Sequence, residues 1–194
     1  MVGEAYTLRL IPAREDIDTL DVLKDRGNPQ RRAVEETPPG HVLIIDSRRD
    51  RRAASAGDIL LRRLHERGVA GVVTDGGFRD SPDIAKLPFP AYHAGPSAPI
   101  GLVHHHAADV NLAIACGDVA VYPGDIVVGD QEAVVVIPAH LAGEVAEEAF
   151  EQTTYETFVQ EEVTKGRSIL GLYPADDDSR RRFERWRARR SKEP

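Results

Sequence analysis

The chain is poor in several residues that would narrow its chemistry. A single cysteine among 194 residues, Cys116, excludes an intrachain disulfide. Its small apolar neighbours, Leu112-Ala113-Ile114-Ala115, mark it as a small core hydrophobe. No apolar run approaches the roughly 20 residues needed to span a bilayer. The first twenty residues carry acidic charges where a signal peptide would be cationic and then apolar. These absences predict a cytoplasmic protein with no membrane segment. Positive charge is also scarce: 25 Lys+Arg against 32 Asp+Glu leave a net charge of -7, which disfavours a dedicated nucleic-acid binder. The balance is uneven, since residues 176–194 carry +3 and residues 1–175 carry -10.

What is present is a globular composition, 41% hydrophobic and 29% charged, at a length that suits one compact domain. Short β-rich runs at His41–Asp46, Val69–Thr74, Asp125–Val128 and Ala133–Ile137 alternate with helical patterns, which predicts a mixed α/β fold. The turn chemistry of Gly129-Asp130-Gln131-Glu132 predicts a hairpin over Asp125–Ile137. Asp58–Arg67 puts Ile59, Leu60, Leu61 and Leu64 on one broad face, the pattern of an amphipathic helix, with Gly68 stopping it. A longer helical pattern runs from about Ala139 to Lys165, with a break expected near Gln152-Thr153-Thr154 and a cap at Gly166. Residues 47–56 and 88–99 show no period and read as loops. Residues 176–194 read as a basic tail following a domain that spans 1–175.

The densest chemistry lies in Val72-Val73-Thr74-Asp75-Gly76-Gly77-Phe78-Arg79-Asp80, an apolar strand followed by a glycine turn and an Arg-Asp pair. Two glycines allow the backbone to approach a ligand. Arg79 has the geometry to grip a carboxylate or enolate, and Asp80 suits a hard cation. A hairpin turn with a surface ion pair is the plainer alternative. Ser55-Ala56-Gly57-Asp58-Ile59-Leu60 runs from small residues into the amphipathic helix, whose first amides and positive dipole end suit a carboxylate beside Gly57–Leu60. Asp58 alternatively stabilises the helix start.

Asp58, twenty intervening residues and then Arg79-Asp80 resemble the signature of the RraA-like family. That family includes the regulator of ribonuclease activity A and the class II 4-hydroxy-4-methyl-2-oxoglutarate and 4-carboxy-4-hydroxy-2-oxoadipate aldolases. The resemblance extends through Pro39-Gly40-His41-Val42-Leu43, Arg67–Asp80, Pro123-Gly124-Asp125, Gly129-Asp130 and Val134–Pro138. It implies a swivelling β/β/α domain, here N-terminally short because the chain opens almost at the strand Glu4–Leu8. It also implies assembly as a homotrimer or dimer of trimers. By the same resemblance, Asp80 binds Mg2+ or Mn2+, Arg79 contacts the 2-oxo group, the amides of Gly57, Asp58, Ile59 and Leu60 hold the carboxylate, and Asp58 manages the hydroxyl proton. A neighbouring subunit's glutamate, ten residues before a glycine, would be Glu156, counted back from Gly166. The implied activity is cleavage of 4-hydroxy-2-oxo acids to pyruvate, with oxaloacetate decarboxylation passing through the same enolate.

Elementary chemistry agrees, because an enolate must be stabilised by a lysine imine or a cation. The four lysines, Lys24, Lys86, Lys165 and Lys192, all sit in polar or terminal contexts. The rival expectation is a non-catalytic regulator that binds a ribonuclease or helicase. His104-His105-His106 cannot all share one site, so polar packing is their expected role, as for His93 and His140. Asp176-Asp177-Asp178 reads as a solvated linker, and Arg180–Arg190 with Phe183 and Trp186 as a helical tail, exposed or docked on a neighbouring subunit.

Overall fold

The computed structural model describes residues 1–190, which divide into two compact units, Met1–His140 and a second beginning at Leu141. Lys192 lies outside the described residues. In the first unit, strand β1 (Val2–Pro12) leads into helix α1 (Pro29–Glu36), strand β2 (Val42–Asp46), strand β3 (Ala54–Ala56) and helix α2 (Asp58–Glu66). Strands β4 (Gly71–Thr74) and β5 (Gly77–Phe78), the short helix α3 (Ser81–Ile84), and strands β6 (Ala91–Tyr92) and β7 (Gly95–Pro96) follow. Strands β8 (His105–Val110), β9 (Ile114–Cys116), β10 (Val119–Val121), β11 (Ile126–Gly129) and β12 (Val134–Ile137) complete it.

The main sheet runs β12-β11-β1-β2-β4-β6, with β8 also pairing with β1. β1 organises it. Its first residues pair antiparallel with β11, its middle pairs parallel with β2, and its end pairs antiparallel with β8 across an irregularity between Arg9 and Leu10. β2 and β4, read from near-continuous Val/Leu/Ile runs, are buried on both faces as parallel strands require. The hairpin expected over Asp125–Ile137 is the antiparallel pair β11 and β12.

α2 packs through Leu61 and Leu64, both essentially inaccessible, which contributes about 1.5–3 kcal/mol each. It ends where expected: Gly68, at φ 75°, turns the chain in a left-handed conformation. α1 begins at a strong signal. Asn28 Oδ1 accepts from the amides of Gln30 (3.0 Å) and Arg31 (3.3 Å), and Pro29 occupies the first turn.

Two segments expected as loops contain short strands instead. β3, β5 and β7 form a small parallel sheet, because Ala54–Ala56 and Gly95–Pro96 flank Gly77-Phe78 and satisfy its backbone groups. Such two- and three-residue strands are too short to leave a periodic sequence signal.

In the second unit, helix α4 (Ala142–Thr164) is continuous, and the expected break at residues 152–154 is absent. Thr154 Oγ1 donates to the Phe150 carbonyl one turn earlier, so the threonine satisfies its hydroxyl within the helix. Gly166 (φ 87°) closes the helix as expected. Helix α5 (Asp177–Arg190) is not an exposed tail: it packs on α4 of the same chain. Phe183 and Trp186 join Tyr155 and the buried Phe158 in one aromatic cluster, while Arg187 pairs with Glu151 and Arg190 with Glu161. The acidic face of α4 therefore partly neutralises the basic segment.

Candidate functional site

Two chain segments meet at the site, and the small β3-β5-β7 sheet brings them together. Its pairing puts the end of β3, and thus Gly57 at the start of α2, beside the end of β5, and thus Arg79 and Asp80. The Arg79 amide donates to the Ala56 carbonyl at 3.0 Å, which ties the two segments at the site itself. A Cβ placed on Gly57 would lie 3.0 Å from Asp80 Oδ2 and 3.6 Å from Arg79 Nε. The Asp-x20-Arg-Asp spacing is thus converted into proximity by a strand pairing.

Asp80 sits at φ 61°, a left-handed conformation uncommon for a residue with a side chain, and its carboxylate remains about one-third exposed. The Arg79–Asp80 ion pair weighed as the plainer reading does form, with Nε donating to Oδ2 at 3.3 Å. Gly76 and Gly77, expected to let the backbone approach a ligand, are not among the residues lining the cavity described below and pack against the protein itself. A Cβ at Gly76 would fall 2.6 Å from Ser47 Cβ and 2.7 Å from Ser55 Oγ, and one at Gly77 would fall 2.7 Å from Ser97 Cβ. Both glycines are required by packing against the protein's own serines. Ser47, Ser55 and Thr74 form a buried hydroxyl triangle with separations of 2.6–3.1 Å, which locks β2, β3 and β4 beneath the site.

Above this base lies a cavity of about 240 Å³, lined by Gly57, Asp58, Ile59, Leu60 and Arg79. Gly57 offers no side-chain cap to α2, so the amides of Gly57, Asp58 and Ile59 keep their donor capacity, whereas that of Leu60 already donates to the Gly57 carbonyl at 3.1 Å. With the positive end of the helix dipole they form an anion cradle. Asp80 is adjacent to this cavity through Gly57 and Arg79 and is not among its lining residues.

Glu156 belongs to the second unit. Its Oε1 accepts from Gln152 Nε2 (2.8 Å) and Tyr173 Oη (3.0 Å), and these donors hold its pKa below the usual carboxylate value. Among the described residues no group of three or more His, Cys, Asp or Glu side chains is gathered to hold a metal. Asp80 still fits a hard cation, since Mg2+ is commonly held by one or two carboxylates with the remaining positions filled by water and substrate oxygens.

Sequence reasoning missed part of the lining, namely Arg31 and Gln30 from α1, Asp18, Leu23 and His105. The Asn28-Pro29 cap was the signal that would have found α1. Of the three consecutive histidines, His105 is buried with both ring nitrogens engaged: Nδ1 accepts from Arg48 at 3.2 Å, and Nε2 donates to the Ala53 carbonyl at 3.1 Å. Burial lowers its pKa and keeps it neutral. His106 pairs with Asp18 at 2.7 Å. These are packing roles, as expected. The described lysines are exposed and paired, Lys24 with Asp21, Lys86 with Asp83 and Lys165 with Glu162, and none lines the cavity.

Comparison with known proteins agrees with this architecture. Residues 1–136 match the family model RraA-like, described as Aldolase/RraA. A Halalkalibacterium halodurans protein named "Putative 4-hydroxy-4-methyl-2-oxoglutarate aldolase" is 36% identical over 142 residues, 71% of this chain and 60% of that protein. An uncharacterized protein of Methanocaldococcus jannaschii is 38% identical over 113 residues, 55% of this chain. The chain thus spans 60% and 52% of the length of these two relatives. The crystal structure of Streptomyces coelicolor RraAS2, described as an unusual member of the RNase ES inhibitor RraA protein family, superposes with a TM-score of 0.70 at 30% identity. That superposition covers 82% of this chain and 76% of the other. The strand order, the Asp58 and Arg79-Asp80 site and these matches together establish that the chain belongs to the RraA-like family.

Proposed function

We propose that this chain is a divalent-metal-dependent lyase that cleaves 4-hydroxy-2-oxo acids to pyruvate and decarboxylates oxaloacetate as a side activity. The observation that carries the reading is the convergence of Arg79 and Asp80 on the uncapped start of α2 at the mouth of a cavity. The amides of Gly57, Asp58 and Ile59 at the start of α2 bind the substrate carboxylate, and the helix dipole adds to their pull. Arg79 directs its guanidinium at the 2-oxo oxygen, where negative charge develops as the carbon–carbon bond breaks. Asp58, in the first turn of α2 at the cavity wall, takes the proton from the C4 hydroxyl.

Asp80 would hold Mg2+ or Mn2+, with Glu156 of a neighbouring subunit completing the shell in a homotrimer or dimer of trimers. The metal would supply Lewis-acid stabilisation of the charge on the 2-oxo acid. The absence of any described lysine from the cavity supports cation chemistry over imine chemistry.

A second reading, a regulator that binds a ribonuclease, is favoured by the similarity to Streptomyces RraAS2. The two separate cleanly. A lyase loses pyruvate release with EDTA and with Arg79→Ala, whereas a regulator keeps hold of its ribonuclease through both treatments. Absence of metal-dependent pyruvate release, together with ribonuclease binding that neither treatment alters, would overturn the lyase reading.

A further inference from the structure

His106 and Asp18 do more than pack. Residues 14–27, the stretch between β1 and α1, supply Asp18 and Leu23 to the cavity wall. The stretch is otherwise loosely attached. None of its residues is buried as a whole, and Ile17 and Leu20 are 42% and 68% exposed. Ile17, Leu20, Val22 and Leu23 join neither of the two apolar clusters that form the core of the first unit.

Its polar groups are satisfied almost entirely within itself. Arg14 pairs with Asp16 and Lys24 with Asp21. Asp18 Oδ2 accepts from the Arg14 amide at 2.7 Å, and Asp25 Oδ1 accepts from the Gly27 amide at 2.8 Å. Among the described residues, a single side-chain bond ties the stretch to the rest of the chain, between Asp18 Oδ1 and His106 Nδ1 at 2.7 Å. Only 3% of the Asp18 side chain is exposed there. β8 sets His106 opposite Ile11 at the end of β1, so this bond sits at the root of the stretch. A segment with few buried apolar contacts belongs to the low-stability end of a structure, from which lids are drawn. Ala13, whose amide donates to the His104 carbonyl at 3.1 Å, and Gly27 are small residues at its two ends, where hinges would act.

We infer that residues 14–27 are a strap over the cavity, latched by the Asp18–His106 pair, and that breaking this pair lifts the strap to let a ligand in or out. The latch governs access and takes no part in bond cleavage. A ligand that touches Leu23 only while the strap is down favours the closed state. This goes beyond the lyase reading, since any occupant of the cavity would pass the same strap.

The test is the rate of thiol labelling in the full chain carrying Cys116→Ala and one new thiol. Leu23→Cys reports on the cavity side of the strap, and Leu20→Cys, on its exposed side, is the reference. The Leu23→Cys thiol should react more slowly than the Leu20→Cys thiol. Adding His106→Ala should speed it about 5-fold or more, up to the rate of the reference, because a hydrogen bond to a charged group is lost. The reference rate and Tm should stay unchanged, a pattern that general destabilisation would not give. His106→Asn, whose side-chain amide can still donate to Asp18, should restore part of the protection. Pyruvate in Mg2+ buffer, with binding followed by isothermal titration, should slow Leu23→Cys and not Leu20→Cys. Equal rates at the two positions, or a Leu23→Cys rate that His106→Ala leaves within two-fold, overturns the inference. Pyruvate that binds without slowing Leu23→Cys also overturns it. Pyruvate that does not bind counts against the 2-oxo acid reading alone, and the latch then stands or falls on His106→Ala.

Discussion

Replacing Gly57 by alanine separates the site from the fold. Gly57 caps α2 in an extended conformation, φ -129° and ψ 179°, that any residue adopts, so the added methyl meets no backbone penalty. Alanine is a poorer cap than glycine by about 0.5–1 kcal/mol. Removing glycine's freedom from the unfolded chain offsets this by about 0.4–1 kcal/mol. The residual change in stability is below about 1 kcal/mol, so Tm should move by no more than about 4 °C for a chain of this size. The site responds differently. The new Cβ lies 3.0 Å from Asp80 Oδ2, a crowded separation from which the carboxylate retreats by a few tenths of an ångström. A misplacement of about 1 Å costs on the order of 100-fold in rate, so this shift predicts roughly a 5- to 10-fold loss of pyruvate release. Thermal unfolding followed by circular dichroism, run beside a lactate-dehydrogenase-coupled assay, reads both quantities. Activity within two-fold of the unsubstituted chain at unchanged Tm would refute the reasoning. A Tm drop beyond about 8 °C would show that Gly57 serves the fold rather than the site.

Three further outcomes are expected. Burial, with Asp75 close by, pushes the Cys116 thiol up to about 12, against about 8.5 for an unfolded thiol. The folded state favours the neutral thiol, so this contribution to stability is fully present below about pH 8.5 and is lost as pH rises toward 12. Thiol reagents at pH 8 should label Cys116 only after denaturation, and equal labelling rates before and after would contradict this. Phe158→Ala removes the buried ring at the centre of the aromatic cluster and costs about 3–5 kcal/mol within the helix pair. Trypsin should then cut among the arginines of α5 much sooner and Trp186 emission should shift to the red; unchanged digestion and emission would argue against docking of α5 on α4. Mixed Asp80→Ala and Glu156→Ala subunits should recover part of the activity that each lacks alone, and no recovery would count against a shared site.

The parts of the fold legible in the sequence are those in which one physical cause acts over many residues. The apolar runs of β2 and β4, the amphipathic face of α2 with Gly68 behind it, and the valine-rich hairpin of β11 and β12 all carry a period or a turn signal. Arg79 and Asp80 were legible through their spacing from Asp58. Their proximity depends on β3, β5 and β7, strands of two or three residues with no pattern to read. Gly76 and Gly77 looked like a ligand-binding turn because a glycine pair looks the same whether it admits a substrate or a serine side chain. The basic run of α5 suggested a free tail because the glutamates that meet it, Glu151 and Glu161, lie about 30 residues earlier on α4.

The central claim is that Asp80 and its neighbours form a metal-dependent lyase site. It is tested most directly by pyruvate release from oxaloacetate and from 4-hydroxy-4-methyl-2-oxoglutarate, coupled to lactate dehydrogenase, with and without Mg2+ and after subtraction of spontaneous decarboxylation. The account predicts Mg2+-dependent turnover that EDTA abolishes and that Asp80→Ala lacks while retaining the same Tm. Turnover in Asp80→Ala equal to that of the unsubstituted chain, or no turnover above background in either, would contradict it.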